Sequence, residues 1–366
     1  MTASSVSEFD RQIMQRCLEL AKRALGQTAP NPLVGSVIVQ GDRIVGEGFH
    51  PYAGQPHAEV FALRAAGEQA QGATLYVNLE PCSHYGRTPP CANALIEAGV
   101  ARVVVGMIDP NPQVAGKGIE RLRQAGIEVE VGVEEAACQT LNEAFVYRIL
   151  HQRSFGILKY AMTLDGKIAA TTGHSAWVTT PEARIRVHQL RSGCDAVVVG
   201  GNTVRRDNPL LTAHGQGHNP LRVVMSRSLD LPLDAQLWRT EVAPTVIFTE
   251  QGVKPEFQKQ LITQIIEQGV EVIELSVLTP AQVMANLYDR GFLSVFWECG
   301  GTLAAKAIAD GSIQKVLAFI APKIIGGTTA PSPVGDLGLT QMTQALALSQ
   351  VKWEAIGGDL LVEGYL

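Results

Sequence analysis

Four residues in the first quarter of the chain could work together on one metal-activated water. They are His57 and Glu59 of the run His57-Ala58-Glu59, Cys82 after Pro81, and Cys91. One imidazole and two thiolates can hold a Zn²⁺ and leave a fourth position open for water. The metal lowers the pKa of that water toward ~7, which makes hydroxide available at neutral pH. Glu59 can stay off the metal and carry a proton from the attacking water to a departing ammonia. The chemistry is hydrolytic deamination of an amino-substituted heterocycle. A closed structural zinc site is the competing reading, with His84 or His50 as fourth ligand. The order His-Ala-Glu, Pro-Cys, Cys, with the carboxylate in place, favours the catalytic one. Cys82 and Cys91 enclose the insert Ser83–Pro90 where such sites usually have C-x-x-C. Loop-closure entropy grows slowly with length, so the longer loop still closes. It also offers His84 and Arg87 to a substrate.

The surrounding pattern must place these groups. Phe9–Leu25 has apolar residues at helical steps and reads as an amphipathic helix ended at Gly26. Leu33–Val39 and Ile44–Phe49 flank Gln40-Gly41-Asp42 as a hairpin. A helix over His57–Ala66 puts His57 and Glu59 in its first turn. Thr74–Leu79 is a strand ending at Glu80-Pro81-Cys82. A helix over Pro90–Ala98 puts Cys91 near its N-terminus, where the dipole favours a thiolate. Strands at Arg102–Ile108 and Ile127–Val133 flank a helix at Lys117–Gln124, and Glu134–Leu150 reads as one further helix. Strands alternating with helices predict an α/β layered sheet with helices on both faces.

A length of 366 residues favours two domains. Apolar content of 46% and charged content of 18% are those of a globular protein. The net charge of −5 and the absence of a Lys/Arg run exclude a nucleic-acid footprint and point to a small-molecule substrate. Six scattered cysteines, two claimed by the metal, are no disulfide framework, so a reducing cytoplasm is expected. Met1–Phe9 lacks the features of a signal peptide, and no apolar run reaches membrane-spanning length.

His151–Ser154 is the candidate linker, giving domains at 1–150 and 151–366. A second α/β series then begins at Phe155–Met162 and closes with paired strands at Val351–Ile356 and Leu360–Tyr365. Three clusters stand out in it: Lys159–Ile168, Gly200–Pro209 and Glu298–Leu303. In the third a strand runs into Gly300-Gly301 and then a helix, which would let a pyrophosphate approach the backbone at a helix N-terminus. Gly326–Gly338 reads as a long loop.

These motifs together give the chain a resemblance. Asn31-Pro32-x-Val34-Gly35, His57-Ala58-Glu59, Glu80-Pro81-Cys82 and Gly86–Cys91 occur in one order with Lys159-x-Ala161-x-Thr163-x-Asp165-Gly166 and Asp207-Asn208-Pro209-x-Leu211-Thr212. The chain resembles the bifunctional riboflavin-biosynthesis deaminase/reductase family over nearly its full length, and the eight-residue insert is normal there. The resemblance implies an α/β chain with an N-terminal cytidine-deaminase-like three-layer domain and a C-terminal dihydrofolate-reductase-like domain. The first would use Zn²⁺ to deaminate 2,5-diamino-6-(5-phosphoribosylamino)pyrimidin-4(3H)-one. The second would use NADPH to reduce the opened ribose to a ribityl chain. No nucleic acid or membrane is an expected partner, and a cytoplasmic homo-oligomer is expected.

Carried onto this sequence, the resemblance makes His57, Cys82 and Cys91 the zinc ligands and Glu59 the proton shuttle. Asn31, His50, His84 and Arg87 take substrate-side positions in the deaminase. In the reductase, Ser175, Arg191, Leu211, His214 and Glu298 bind the substrate, with Arg191 gripping its phosphate. Ala161, Trp177, Thr203, Asp207, Ser226 and Gly300-Gly301 touch NADPH. Lys159 and Asp207 lie near the reacting carbonyl, where either could donate a proton. The family usually has Arg where this chain has His214, and Glu-Gly-Gly where it has Glu298-Cys299-Gly300. A neighbouring dianionic phosphate would raise the pKa of His214. The bland alternatives are that Trp177 is a core aromatic, that Arg205-Arg206 is a solvated face and that Asp165-Gly166 serves only a tight turn.

Overall fold

The computed structural model describes residues 7–83, 89–112, 114–252 and 256–366, with the backbone alone for 256–261. The chain divides into two compact units, Met1–Gln152 and Arg153–Leu366. In the first, helix α1 (Glu8–Lys22) precedes the hairpin β1 (Gly35–Gln40) and β2 (Arg43–Phe49). There follow α2 (Ala58–Ala66), β3 (Thr74–Leu79), α3 (Cys91–Glu97), β4 (Arg102–Met107), α4 (Lys117–Gln124) and β5 (Glu128–Val131). Helices α5 (Glu135–Leu141) and α6 (Glu143–His151) complete the unit. The sheet order is β2-β1-β3-β4-β5, with β1 antiparallel to both its neighbours and the rest parallel.

Period-2 alternation gives this sheet two buried faces. Ile38, Leu75, Val77, Val103 and Val105 pack with Ala62 of α2, Leu95 of α3 and Leu122 of α4. Tyr76, on the other face, donates from its hydroxyl to Asp10 of α1 at 2.8 Å. Helices α1 and α5 contact β1, β3 and β4. The three layers bring α2 unusually close to β2. A Cβ at Gly48 would lie 2.4 Å from the Ala58 carbonyl oxygen, and one at Gly46 would lie 2.3 Å from that of Ala62. Glycine at both positions lets the helix carrying Glu59 lie directly on the hairpin.

One helix expected over Glu134–Leu150 is two, broken at Asn142. The Asn142 side chain is buried and pairs with the backbone of Leu33: Oδ1 accepts from its N–H at 2.8 Å and Nδ2 donates to its carbonyl at 3.0 Å. That remote pairing holds Asn142 at φ −104° and ψ 19°, outside the helical basin.

The second unit runs β6 (Phe155–Thr163), α7 (Pro181–Ser192), β7 (Ala196–Gly200), α8 (Gly201–Asp207), β8 (Leu221–Met225), β9 (Thr245–Glu250) and α9 (Glu256–Glu267). It continues with β10 (Glu271–Leu275), α10 (Pro280–Asp289), β11 (Ser294–Trp297), α11 (Gly301–Ala309), β12 (Lys315–Ala321), β13 (Ser349–Ile356) and β14 (Asp359–Tyr365). The nine-stranded sheet has the order β10-β9-β8-β7-β11-β6-β12-β14-β13, parallel through β12, with β14 antiparallel to both β12 and β13. Val197, Val199, Phe296, Leu317 and Phe319 bury one face against α7, and Val198, Val295, Trp297 and Val316 bury the other against α10 and α11. The Gly326–Gly338 stretch forms neither helix nor strand. No helix among the described residues is long and apolar enough to cross a membrane.

Candidate active sites

In the first unit the N-termini of α2 and α3 converge at the end of β3. His57 is the residue before α2, and Cys91 is the first residue of α3. His57 Nδ1 lies 3.6 Å from Cys82 Sγ and 3.2 Å from Cys91 Sγ. All three ligand atoms fall within 4.8 Å of one another. Tetrahedral zinc with these ligand types spaces N and S about 3.6 Å apart, so the donor set and its spacing fit that ion. The Cys91 backbone N–H donates to Cys82 Sγ at 3.2 Å. The Cys91 thiol above all, then His57 and this backbone N–H, hold the Cys82 thiol well below its usual value against the opposing effect of burial.

Glu59 follows in the first turn of α2 and is 3% exposed. Its Oε2 is fully buried and has no hydrogen-bond partner among the described residues. Burial pushes its carboxyl up, and His57 only partly offsets this. A buried carboxylate oxygen left unpaired is costly, and its position beside three ligand atoms gives it a use. His50 is no ligand. Its Nδ1 donates to the Pro56 carbonyl at 3.0 Å, which leaves Nε2 to accept from Asn31 Nδ2 at 3.0 Å. Burial holds this ring neutral by lowering its pKa. The metal cluster therefore has three protein ligands among the described residues, with the buried His50–Asn31 pair beside it, and His50 meets His57 edge-on at 5.7 Å. His84 and Arg87 lie outside the described residues.

Cys82 is placed by a device not read from the sequence. Glu80 is buried and accepts four backbone N–H groups, from Asp109 (3.2 Å), Gly116 (2.9 Å), Gly118 (2.9 Å) and Ile119 (3.3 Å). It ties the end of β3 to the start of α4, two residues ahead of the ligand.

In the second unit the carboxyl ends of the parallel strands carry the other residues, where open α/β sheets bind ligands. Glu298 follows β11 and joins two cations. Arg191 Nε of α7 donates to Oε1 at 2.7 Å, and Lys159 Nζ of β6 donates to Oε2 at 3.4 Å. Arg191 Nη1 also donates to the Thr212 carbonyl, next to Leu211. Two donors of the expected phosphate ligand are thus engaged within the protein. His214 stacks on His188 with centroids 4.2 Å apart and planes at 23°. His188 sits one turn before Arg191 on α7 and was missed in the sequence. The spacing His188-x-x-Arg191, which puts both on one helix face, was the available signal. Burial lowers the pKa of His188 to about 4, helped by His214 and Arg191, and burial and Arg191 lower that of His214. In the free protein His214 is thus shifted opposite to the direction expected beside a phosphate.

Ser175 Oγ donates to Asp207 Oδ1 at 3.4 Å on an exposed surface. Thr203 lies on α8, Ser226 follows β8 and is buried, and Ala161 of β6 packs on the core. Trp177 is 69% exposed, so the core reading fails. Its ring lies 4.3 Å from the Arg184 guanidinium carbon, and its carbonyl accepts from Lys323 Nζ at 2.8 Å. Arg205 reaches the Asp230 carbonyl on a solvated face, as its bland reading had it. Asp165 does more than turn the chain: it accepts from Thr163 Oγ1 at 2.6 Å and from the N–H groups of Ile325 and Gly326.

The two glycines of the α11 turn differ. A Cβ at Gly300 would meet nothing within 4 Å, so a ligand can approach that backbone. A Cβ at Gly301 would lie 2.6 Å from the Ser332 carbonyl oxygen, so that glycine serves the packing of the long loop. Arg222 was also missed. It is fully buried in β8, gives Nη2 to the carbonyls of Leu237, Arg239 and Ala243, and reaches Leu210 with Nη1. It thereby braces the segment in which Leu211 and His214 hold positive φ, strained for such residues.

Comparison with known proteins bears on both sites. Residues 7–107 match the cytidine and deoxycytidylate deaminase zinc-binding region, and residues 154–362 match the RibD C-terminal domain. Riboflavin biosynthesis protein RibD of Synechocystis is 66% identical over 358 residues, covering 98% of this chain and 96% of that one. The chain belongs to the RibD family. RibD of Aquifex aeolicus is 42% identical over 98% of both chains. The crystal structure of a Thermotoga maritima diaminohydroxyphosphoribosylaminopyrimidine deaminase/5-amino-6-(5-phosphoribosylamino)uracil reductase superposes with a TM-score of 0.86 at 38% identity, covering 98% of each chain. The fold is therefore that of a RibD chain, a cytidine-deaminase-like unit followed by a RibD reductase unit.

Proposed function

We propose that this RibD-family chain carries out two consecutive steps of riboflavin biosynthesis. The first unit removes the 2-amino group of 2,5-diamino-6-(5-phosphoribosylamino)pyrimidin-4(3H)-one, exchanging it for a water oxygen and releasing ammonia. The second reduces the ribosyl group of the product with NADPH, giving 5-amino-6-(5-phosphoribitylamino)uracil. The observation that carries the reading is the buried Glu59 oxygen, without a hydrogen-bond partner among the described residues, beside three ligand atoms spaced for zinc.

His57, Cys82 and Cys91 would hold the zinc ion, which supplies Lewis-acid activation of water at neutral pH. Glu59 Oε2 takes a proton there and returns it to the leaving nitrogen. Asn31 and His50 form a fixed polar wall for the heterocycle, with His84 and Arg87 on the insert as further substrate contacts. In the reductase, NADPH supplies the hydride. Gly300, Thr203, Ser226, Ala161, Trp177 and Asp207 would line the cofactor's site, and the open space at Gly300 would admit a phosphate to the backbone. Lys159 or Asp207 gives the proton. Ser175, Arg191, Leu211, His214 and Glu298 hold the substrate. The enzyme works in the cytoplasm as a homo-oligomer.

Incubating the protein with the diaminopyrimidine and NADPH and identifying the products by mass tests this reading. Cys82→Ser should abolish the first product and leave NADPH oxidation on pre-deaminated substrate unchanged. A folded Cys82→Ser protein that has lost both activities would contradict two separate sites.

The imidazole pair predicts a pH dependence. Both rings have lowered pKa values in the free protein, and a dianionic phosphate would raise that of the ring it touches. Substrate binding therefore takes up a proton, and affinity falls as pH rises through the bound-state pKa. The reductase KM should climb between about pH 6.5 and 8.5. His214→Asn should flatten that climb. An equally steep profile in the variant would remove His214 from the phosphate site.

A further inference from the structure

Trp177 lies in the irregular segment between β6 and α7, and its neighbourhood is tied down residue by residue. Lys323, just past β12, donates from Nζ to the carbonyls of Trp177 and Val178 at 2.8 and 2.9 Å. Arg184 Nη1 donates to the Thr179 carbonyl at 2.8 Å. Asp359, itself buried, accepts from the N–H and the hydroxyl of Thr180 at 2.7 and 2.9 Å. These bonds hold Trp177 at φ 63°, a strained value for a large side chain. Strain of this kind persists where the surroundings enforce it, and it clusters at sites with a use.

The ring points outward. It is 69% exposed even though the Arg184 guanidinium carbon stands over it, 4.3 Å from its centroid. One face is therefore covered by a cation and the other is open. Arg184 belongs to the first turn of α7, where a positive charge opposes the helix dipole. No carboxylate pairs with it among the described residues. Its placement serves the ring and the Thr179 carbonyl, not the helix.

Strand order says which part of a cofactor would reach the open face. Across β8-β7-β11-β6-β12 stand Ser226, Thr203, Gly300, Lys159 and the Lys323-held Trp177 in turn. Gly300, with its room for a phosphate, is in the middle. Lys159, a candidate proton donor, lies on the Trp177 side of it. Ser175, two residues before Trp177, donates to Asp207, the other candidate, at 3.4 Å. The hydride must be delivered beside the proton, so the nicotinamide end belongs at Trp177.

We infer that Arg184 is a positioning residue for the cofactor: it backs Trp177, whose open face takes the nicotinamide, and it makes that face prefer the reduced ring. This rests on the NADPH reading above. The dihydronicotinamide of NADPH is neutral, and the oxidised ring of NADP⁺ is a cation. An indole face attracts a cation through its quadrupole. With Arg184 already behind the indole, a cation in front of it meets a like charge across the ring, and a neutral ring does not. The reduced cofactor is held and the oxidised one is let go.

Calorimetric titration of the full chain with NADPH and with NADP⁺ tests it. Arg184→Gln keeps a donor for the Thr179 carbonyl and removes the charge. It should weaken NADPH binding by about fivefold, the scale of one exposed cation–π contact, and change NADP⁺ binding by less than about twofold. Arg184→Lys keeps a cation behind the ring and should restore most of the preference for NADPH. In a Trp177→Ala chain, Arg184→Gln should have no further effect on either form, because the ring is its route to the cofactor. Equal weakening of both forms, or the same loss with Trp177 absent, would make Arg184 a brace of the loop and overturn the inference. Unchanged NADPH affinity in Arg184→Gln would overturn it as well. A parent that binds neither form would overturn the NADPH reading and this inference with it, a failure visible before any variant is made.

Discussion

Glu59→Gln should lower the deamination rate by about ten-thousand-fold, the upper end for loss of a general acid–base group, and keep the metal. One carboxylate serves both proton transfers, from water and to ammonia, so its loss affects both halves of the step. The substitution keeps size and shape in a position that is 3% exposed. It removes the capacity to cycle a proton at Oε2, an oxygen with no hydrogen-bond partner among the described residues. The three ligand atoms belong to His57, Cys82 and Cys91 and are untouched. Zinc content by atomic absorption should match the parent, and NADPH oxidation on deaminated substrate should be unchanged. Glu59→Ala would open a cavity and confuse packing with chemistry, so glutamine is the informative variant. Stoichiometric loss of zinc in Glu59→Gln would show that the carboxylate acts as a ligand and would end its role as proton carrier.

Much of that site can be read in the chain. His57, Glu59, Cys82 and Cys91 are close in sequence and sit at helix starts and a strand end, so short-range patterns place them. The alternating strands and the Gly41 hairpin are likewise local. What stayed hidden depends on pairing across distance. Nothing near Asn142 announces that its amide will take the backbone of Leu33 and break a helix. Glu80 looks like part of a motif, and its four N–H partners come from residues 109–119. Arg222 reads as a cation in an apolar strand, and the carbonyls that accept from its Nη1 and Nη2 arrive from three later residues and one earlier one. The spacing to Arg191 puts His188 on the same helix face, but its partner His214 comes from a loop 26 residues later, and no local pattern pairs the two rings. Trp177 sits at a positive φ of 63° with the Arg184 guanidinium over its ring, and composition reveals neither.

Glu298→Gln should destabilise the reductase unit by about 3–5 kcal/mol, the usual result of leaving buried charges without their counter-charge. The carboxylate is 11% exposed, Arg191 8% and Lys159 15%, so water cannot replace it. Burial alone would raise the Glu298 pKa. The charges of Arg191 and Lys159 more than offset this and hold it at about 2, against an ordinary value of 4.5. A depressed folded-state pKa contributes stability that is present above the unfolded value and lost as pH falls through the folded one. The contribution here is about 3 kcal/mol at neutral pH, and it should disappear between roughly pH 4.5 and pH 2. Glu298→Gln has no such carboxylate, so the acid limb of its stability curve should be flatter. Because Glu298 also positions Lys159 and Arg191, reductase turnover should drop by about a hundredfold, the usual result of a displacement near 1 Å. Deamination should persist, since its ligands lie in the other unit. Thermal unfolding from pH 3 to 8, followed with both activity assays, checks each point. Adding Lys159→Met should return part of the lost stability, because it removes one of the two stranded cations. If Glu298→Gln kept the parent's melting midpoint and acid limb, the Arg191–Glu298–Lys159 cluster would not be what holds this site together. If Lys159→Met made it worse, the lysine would be stabilised by something other than that carboxylate.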